Sequence, residues 1–274
     1  MIMKNTLPEN DAVIKNEQKP VKKFLLLACH VLWRELSQTA AESPHEIFPV
    51  FLKQGLHNEP DNLRKQLQEQ IDEADRIADQ IVEDLGQEQS YDAILLGYGL
   101  CSNGIAGLSS RHYKLVVPRG HDCITLLLGD RRLYREYFDA NPGVYWYSGG
   151  WIATKTMPGP DRMELLRKIY SQRYEDDETV EFLLDEEKHW MANYKQACFI
   201  RQDDLAASEE LRDDWRCYSE NCAKWCGWKY QELKGDTRLL KMLVDGIWYD
   251  DEFLVAEPGH TLQPSHDQDI VKSD

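Results

Sequence analysis

The sequence predicts an α/β fold built on an open, doubly wound, mostly parallel sheet with helices on both faces, followed by a helical, Trp-rich C-terminal portion. Three observations predict it: short unbroken apolar runs that suit strands buried on both faces, stretches of helical periodicity between them, and the alternation of the two over about 100 residues. Strand one is Phe24-Leu25-Leu26-Leu27-Ala28, ending at Cys29. Residues 31–42 then place Val31, Leu32, Leu36 and Ala40 at helical spacing before Ser43-Pro44 breaks the run. A second strand fits Ile47 to Leu52. The strongest helix follows Pro60-Asp61 and repeats Leu63, Leu67, Ile71, Ala74, Ile77, Ile81 and Leu85, with Gly86 as its stop. Asp92 to Gly97 and Lys114 to Val117 supply two further strands.

The chain of 274 residues suits one large domain or two small ones. Residues 1–20 are polar, lack periodicity and are expected to be a disordered leader; 21–258 are expected to form one α/β domain, with a subdivision near 150–160, and 259–274 a flexible tail. A hydrophobic share of 42% marks a globular protein, and no apolar run approaches the roughly 20 residues that cross a bilayer. The net charge of −16 repels phosphate backbones, which argues against nucleic acid as a partner. The N-terminal stretch lacks a basic start and an apolar core, so no secretory signal is read and the expected compartment is the cytoplasm. There, seven cysteines raise the question of metals and nucleophiles, not of a disulfide framework.

In such a fold, ligands sit outside the carboxyl ends of the strands. Cys29 follows the first strand. The loop Gly97-Tyr98-Gly99-Leu100-Cys101-Ser102-Asn103-Gly104 follows the third, and Arg119-Gly120-His121-Asp122-Cys123 follows the fourth. Thiolate and imidazole are ligands of zinc, and thiolates of iron–sulfur clusters, so Cys29, Cys101, His121 and Cys123 are the candidate metal ligands. An extended His121-x-Cys123 would point both side chains one way, leaving Asp122 to face away or to accept an outer hydrogen bond. Asp122 and Arg119 are the candidate catalytic groups, Arg119 as a clamp on an anionic substrate or simply an ion-pair partner. Gly97, Gly99, Asn103, Gly104 and Trp151 are the candidate cofactor contacts, the glycines because they let the backbone come close to a bound group.

The same parts allow metal-free chemistry, two cysteines flanking a small ligand and moving a proton. The strand that runs into the Cys101 loop is similar to the strand–Cys loops of the aspartate/glutamate racemase superfamily. The Thr-His expected after the second cysteine of those enzymes is replaced by Ser102-Asn103. Cys217, Cys222 and Cys226 lack the paired spacing of common metal motifs and lie among Trp215, Tyr218, Trp225 and Trp228, which favours packing. Residues Glu175 to Glu187, with eight acids and no base, read as a solvated face.

Taken together, the phrases Leu27-Ala28-Cys29-His30-Val31-Leu32-Trp33-Arg34-Glu35, Leu96 to Gly104, Pro118 to Gly129 and Gly150-Trp151 resemble a prokaryotic family catalogued as domain of unknown function 1638, over roughly residues 22–258. The family name supplies no reaction. The resemblance implies company with corrinoid-dependent methyl-transfer systems, and hence corrinoid or methyltransferase proteins as partners. The expected function is a metal-binding protein, an enzyme with a zinc or iron/iron–sulfur site linked to methyl transfer or one-carbon chemistry. The alternatives are the metal-free two-cysteine enzyme and a non-catalytic protein that binds a small molecule or a corrinoid.

Overall fold

The computed structural model of the chain describes residues 20–85 and 90–274, so the expected leader (to residue 19) and the Gly86 stop lie outside the described residues. Strand β1 (Lys23–Cys29) leads through a short 3-10 turn, His30–Leu32, into helix α1 (Trp33–Glu42). Strand β2 (Glu46–Leu52), helix α2 (Pro60–Leu85), and strands β3 (Ala93–Gly97) and β4 (Lys114–Pro118) follow. Helices α3 (Cys123–Leu128) and α4 (Arg131–Ala140) lead to β5 (Val144–Tyr147) and α5 (Gly149–Thr154). Beyond them come α6 (Pro160–Arg173), α7 (Asp177–Met191), β6 (Gln196–Arg201), α8 (Glu209–Cys226) and β7 (Lys229–Lys234). The chain closes with α9 (Arg238–Val244), β8 (Phe253–Ala256), β9 (Leu262–Pro264) and β10 (Val271–Ser273).

The main sheet has the order β2-β1-β3-β4-β8, parallel except for β8, which runs antiparallel to β4. Residues of β1 alternate between two cores, which is why its run is apolar without interruption. Leu25 and Leu27 pack with Leu63, Leu67 and Ile71 of α2. Phe24, Leu26 and Ala28 pack on the other side with Leu36 of α1, Leu126 of α3 and Leu240 of α9. Full burial of one such Leu or Ile stabilises the fold by about 1.5–3 kcal/mol, so the α2 stripe alone pins that helix to the sheet.

The C-terminal portion departs from the expected helical block. It holds a second parallel sheet, ordered β5-β6-β7. This unit begins at Val144, ahead of the expected boundary, and the chain returns to the main sheet with β8. Helix α5 presses on the turn after β1: a Cβ at Gly150 would fall 1.8 Å from the carbonyl oxygen of Val31, so only glycine permits the approach. The expected flexible tail is also corrected. Its strands β9 and β10 pair as a hairpin, and its side chains Leu262 and Val271 are buried in the core that contains α2. Among the described residues, no helix is long and apolar enough to cross a membrane.

Candidate functional site

From β1 the chain moves outward to β2 and then crosses back to β3 on the other side. Such a reversal opens a crevice outside the carboxyl ends of the two strands between which it occurs. The register that pairs Ala28 with Gly97 brings Cys29 level with Tyr98 at the mouth of this crevice. The next loop, after β3, turns sharply: Cys101, Ser102 and Asn103 have φ of 47°, 56° and 64°. Three successive non-glycine residues in the left-handed region are strained, at a cost of about 1 kcal/mol or more each, and such strain collects at functional sites.

Two main-chain bonds tie this loop to the one after β4. Leu100 N–H donates to Gly120 O at 2.8 Å, and Cys101 N–H donates to His121 O at 2.9 Å. The expected extended His121-x-Cys123 segment is in fact a helix start. Asp122 caps α3, accepting at Oδ1 from Ile124 N (3.0 Å) and Thr125 N (3.3 Å), and Cys123 is the first helical residue. Its other oxygen accepts from the Tyr134 hydroxyl at 2.9 Å. Asp122 thus turns into the site instead of away from it, because an Asp at this position satisfies otherwise unpaired helix N–H groups.

Cys29, Cys101 and Cys123 span the end of the sheet. Cys101 packs into the core on the α2 side, Cys123 against the core on the other side, and Cys29 touches both. All three are free thiols. Burial pushes each of them up from its ordinary value; the charge of Asp122 and the neighbouring Cys29 add to this at Cys101 and Cys123. Burial raises Asp122 as well, against the pull of its hydrogen bonds to Tyr134, Thr125 and Ile124. The phenol of Tyr98, 3% exposed, is raised by burial and then by the same three cysteines, and its hydroxyl has no hydrogen-bond partner among the described residues.

A cavity of about 390 Å³ is lined by Cys101, Cys123, Asp122 and His121, while Cys29 and Tyr98 lie outside its lining. Tyr145, Trp146, Trp151 and Tyr194 wall it with aromatic rings, and Gln54, His57 and Lys155 line its polar side. Burial and Lys155 lower His57 from its ordinary value, while Asp122 opposes them. Of the expected ligands, His121 reaches the cavity from an exposed position. Among the described residues, no three His, Cys, Asp or Glu side chains stand together as a ready ligand set for an ion.

The remaining expectations divide. Trp151 lines the cavity. Arg119 does not: its Nε donates to Asp250 O (2.8 Å) and its Nη1 to the carbonyls of Asp269 (3.0 Å) and Val271 (2.6 Å), so it ties down the C-terminal hairpin away from the cavity lining. Gly97, Gly99 and Gly104 admit protein instead of a ligand, since their added Cβ atoms would meet Ala28, Asp122 and Leu63, each at 2.6 Å. Asn103 lies outside the cavity lining and offers its carbonyl to Arg64 at 3.1 Å. Cys222 is buried among Tyr147 and Trp215 in the core of the second unit, and Cys217 is exposed on the same helix.

Two residues escaped the sequence reading. His57 sits in the loop after β2, a fourth strand end that the same rule reaches. Lys155 follows α5 and enters through tertiary packing that no local pattern announces.

The model of the family described as Protein of unknown function (DUF1638) matches residues 51–244. That span holds Cys101, His121 and Cys123 as well as Cys217, Cys222 and Cys226, while Cys29 precedes it. No curated protein and no solved structure matches the chain.

Proposed function

We propose, on the premise that the chain belongs to the DUF1638 family, that it is an enzyme that binds a small organic substrate in the strand-end cavity and works through the thiols of Cys29, Cys101 and Cys123. One observation carries the reading: two free thiols, Cys101 and Cys123, from two separate loops line one cavity, and Cys29 and the phenol of Tyr98, whose hydroxyl finds no partner among the described residues, lie close enough for their charges to interact with them. A buried hydroxyl without a partner calls for an absent one, whether water, ion or ligand. Neutral thiols are poor nucleophiles, so the reactive thiolate has to be produced by whatever binds there.

A soft dication, zinc or iron, suits a donor set of three thiols. Cys29, Cys101 and Cys123 would hold it, with His121 as the nitrogen donor, and it would supply bound thiolate and Lewis acidity. Methyl transfer involving a thiol, with a methylated corrinoid as donor, is the reaction class we attach to this form. Because no ligand set is preassembled, binding has to draw the side chains inward.

That last observation favours a second, metal-free reading. In it Cys101 and Cys123 lie at the two sides of the sheet end; one takes a proton from a substrate carbon while the other returns one, leaving the proton count unchanged.

Elemental analysis of anaerobically purified protein separates the two. About one equivalent of zinc or iron per chain, lost in Cys29→Ala, Cys101→Ala and Cys123→Ala but kept in Cys222→Ala, supports the metal form. Metal kept in all four variants sinks a thiol-held centre. Metal-free protein leaves the proton-exchange form, in which Cys101→Ser and Cys123→Ser must each stop exchange of a bound substrate's hydrogen with deuterated solvent.

A further inference from the structure

The thiol cavity continues into a second, more open groove of about 740 Å³, and the two share Gln54, Gly55 and Lys155. Beyond these the groove is lined by Phe51, whose ring meets His30 edge-on at 6.2 Å, and by Lys53. In a chain with 48 acidic and 32 basic residues, the charge along this joined cleft is reversed. Among the described residues its lining carries two lysines, Lys53 and Lys155, against a single acid, Asp122, with His30, His57 and His121 beside them. Both oxygens of that acid are already taken, by the start of α3 and by Tyr134.

The two lysines lack partners of their own. Among the described residues neither Lys53 nor Lys155 forms an ion pair, although carboxylates outnumber cations in the chain. Glu187, the acid whose charge reaches Lys155, is held by Arg162, with Nη2 at 2.5 Å. Burial and Arg162 lower Lys155 from its ordinary value, so its charge carries a desolvation cost that Glu187 offsets only in part and a bound anion would offset further. The wall of the thiol cavity is different in character: the aromatic side chains of Trp146 and Trp151 suit an apolar, planar group.

We infer that cavity and groove form one elongated site for an organic anion, with its planar end against Trp146 and Trp151 beside the thiols and its carboxylate or phosphate end on Lys155 and Lys53. The inference rests on the proposed placing of substrate in the thiol cavity and adds its chemical class. Burial of the ring contributes affinity, and the ammonium groups select the charged end.

Isothermal titration calorimetry with phenylacetate, phenylbutyrate, phenylhexanoate, phenylbutyl phosphate and the neutral phenylbutanol tests it on the full chain. The anions should bind more tightly than the alcohol, with one chain length best. The double variant Lys53→Gln/Lys155→Gln should weaken the anions about tenfold or more, which is about 1.4 kcal/mol, and leave the alcohol unchanged. The order of carboxylate and phosphate then identifies the head group. Anions that bind no better than phenylbutanol, or as well to the double variant as to the parent, overturn the inference. Cys101→Ser and Cys123→Ser keep the two questions apart. Anion binding that survives these changes while the metal and exchange tests fail leaves this site standing without the thiol chemistry; the reverse pattern sinks the anion site alone.

Discussion

The backbone N–H of Cys101 donates to the carbonyl oxygen of His121 across 2.9 Å, joining the loop after β3 to the loop after β4. This bond, with its neighbour from Leu100, brings Cys101 and Cys123 to the lining of one cavity even though 21 residues separate them in the chain. The proximity of the two loops is therefore a property of the backbone.

Gly99 is where that joint can be broken. An added methyl would fall 2.6 Å from the amide nitrogen of Asp122 and 2.7 Å from the carbonyl oxygen of Gly120, both main-chain atoms that cannot rotate aside. Gly99→Ala should cost about 1–3 kcal/mol in urea unfolding. Alkylation of Cys101 and Cys123 in the folded variant should be faster than in the parent; an unchanged pattern would show that the two loops do not depend on one another.

Asp122 separates capping from charge. Asp122→Ala removes the acceptor for Ile124 N–H and Thr125 N–H and should lower stability by about 1–2 kcal/mol. Asp122→Asn keeps a good cap and should stay within about 0.5 kcal/mol of the parent. Equal losses in the two variants would mean that the carboxylate charge, and not the cap, holds this segment.

Glu35 makes stability depend on pH. Its side chain is buried at 1% exposure, one oxygen has no partner among the described residues, and burial pushes its carboxyl up from 4.5 to about 7 against the pull of its own backbone and of Arg34. Between these values the folded chain keeps a proton that the unfolded chain has released, so unfolding free energy falls as pH rises through that window, by about 3 kcal/mol in all. Glu35→Gln should flatten this slope and raise the urea midpoint above the parent's near pH 8. A parent midpoint that is the same at pH 5 and pH 8 would refute the assignment.

The thiols themselves give a kinetic signature. Iodoacetamide at neutral pH should label the exposed Cys217 about tenfold or more faster than Cys101 and Cys123, which burial holds protonated. Peptide mass spectrometry over a time course reads the order. Early labelling of Cys101 would contradict a buried, neutral thiol.

How much of this was legible in the sequence follows from which forces act locally. Burial on both faces makes β1 continuously apolar, and the Leu63, Leu67, Ile71 stripe writes α2 at its own period, so both could be read directly. β7, Lys229-Tyr230-Gln231-Glu232-Leu233-Lys234, is polar and only partly buried, and β9 and β10 span three residues each, too few to show a period. The strand-end rule led to Cys101 and Cys123, which line the cavity, and applied to β2 it would have led to His57. Arg119 misled because adjacency in sequence says nothing about which neighbour a long side chain reaches. Lys155 belongs to a wall supplied by the second sheet and its helices, whose docking on the first is decided by contacts far apart in sequence.

Arg119 also decides how the protein can be handled. Its guanidinium holds the carbonyls of Asp269 and Val271, while Leu262 and Val271 plug a core shared with the longest helix. A shortened expression product ending at Pro258 would therefore leave the Nη1 of Arg119 without its two carbonyl acceptors and an open seam over α2. Crystallographers trimming this chain for better diffraction should spare its last sixteen residues, about the length by which an apparent appendage serves as a stopper.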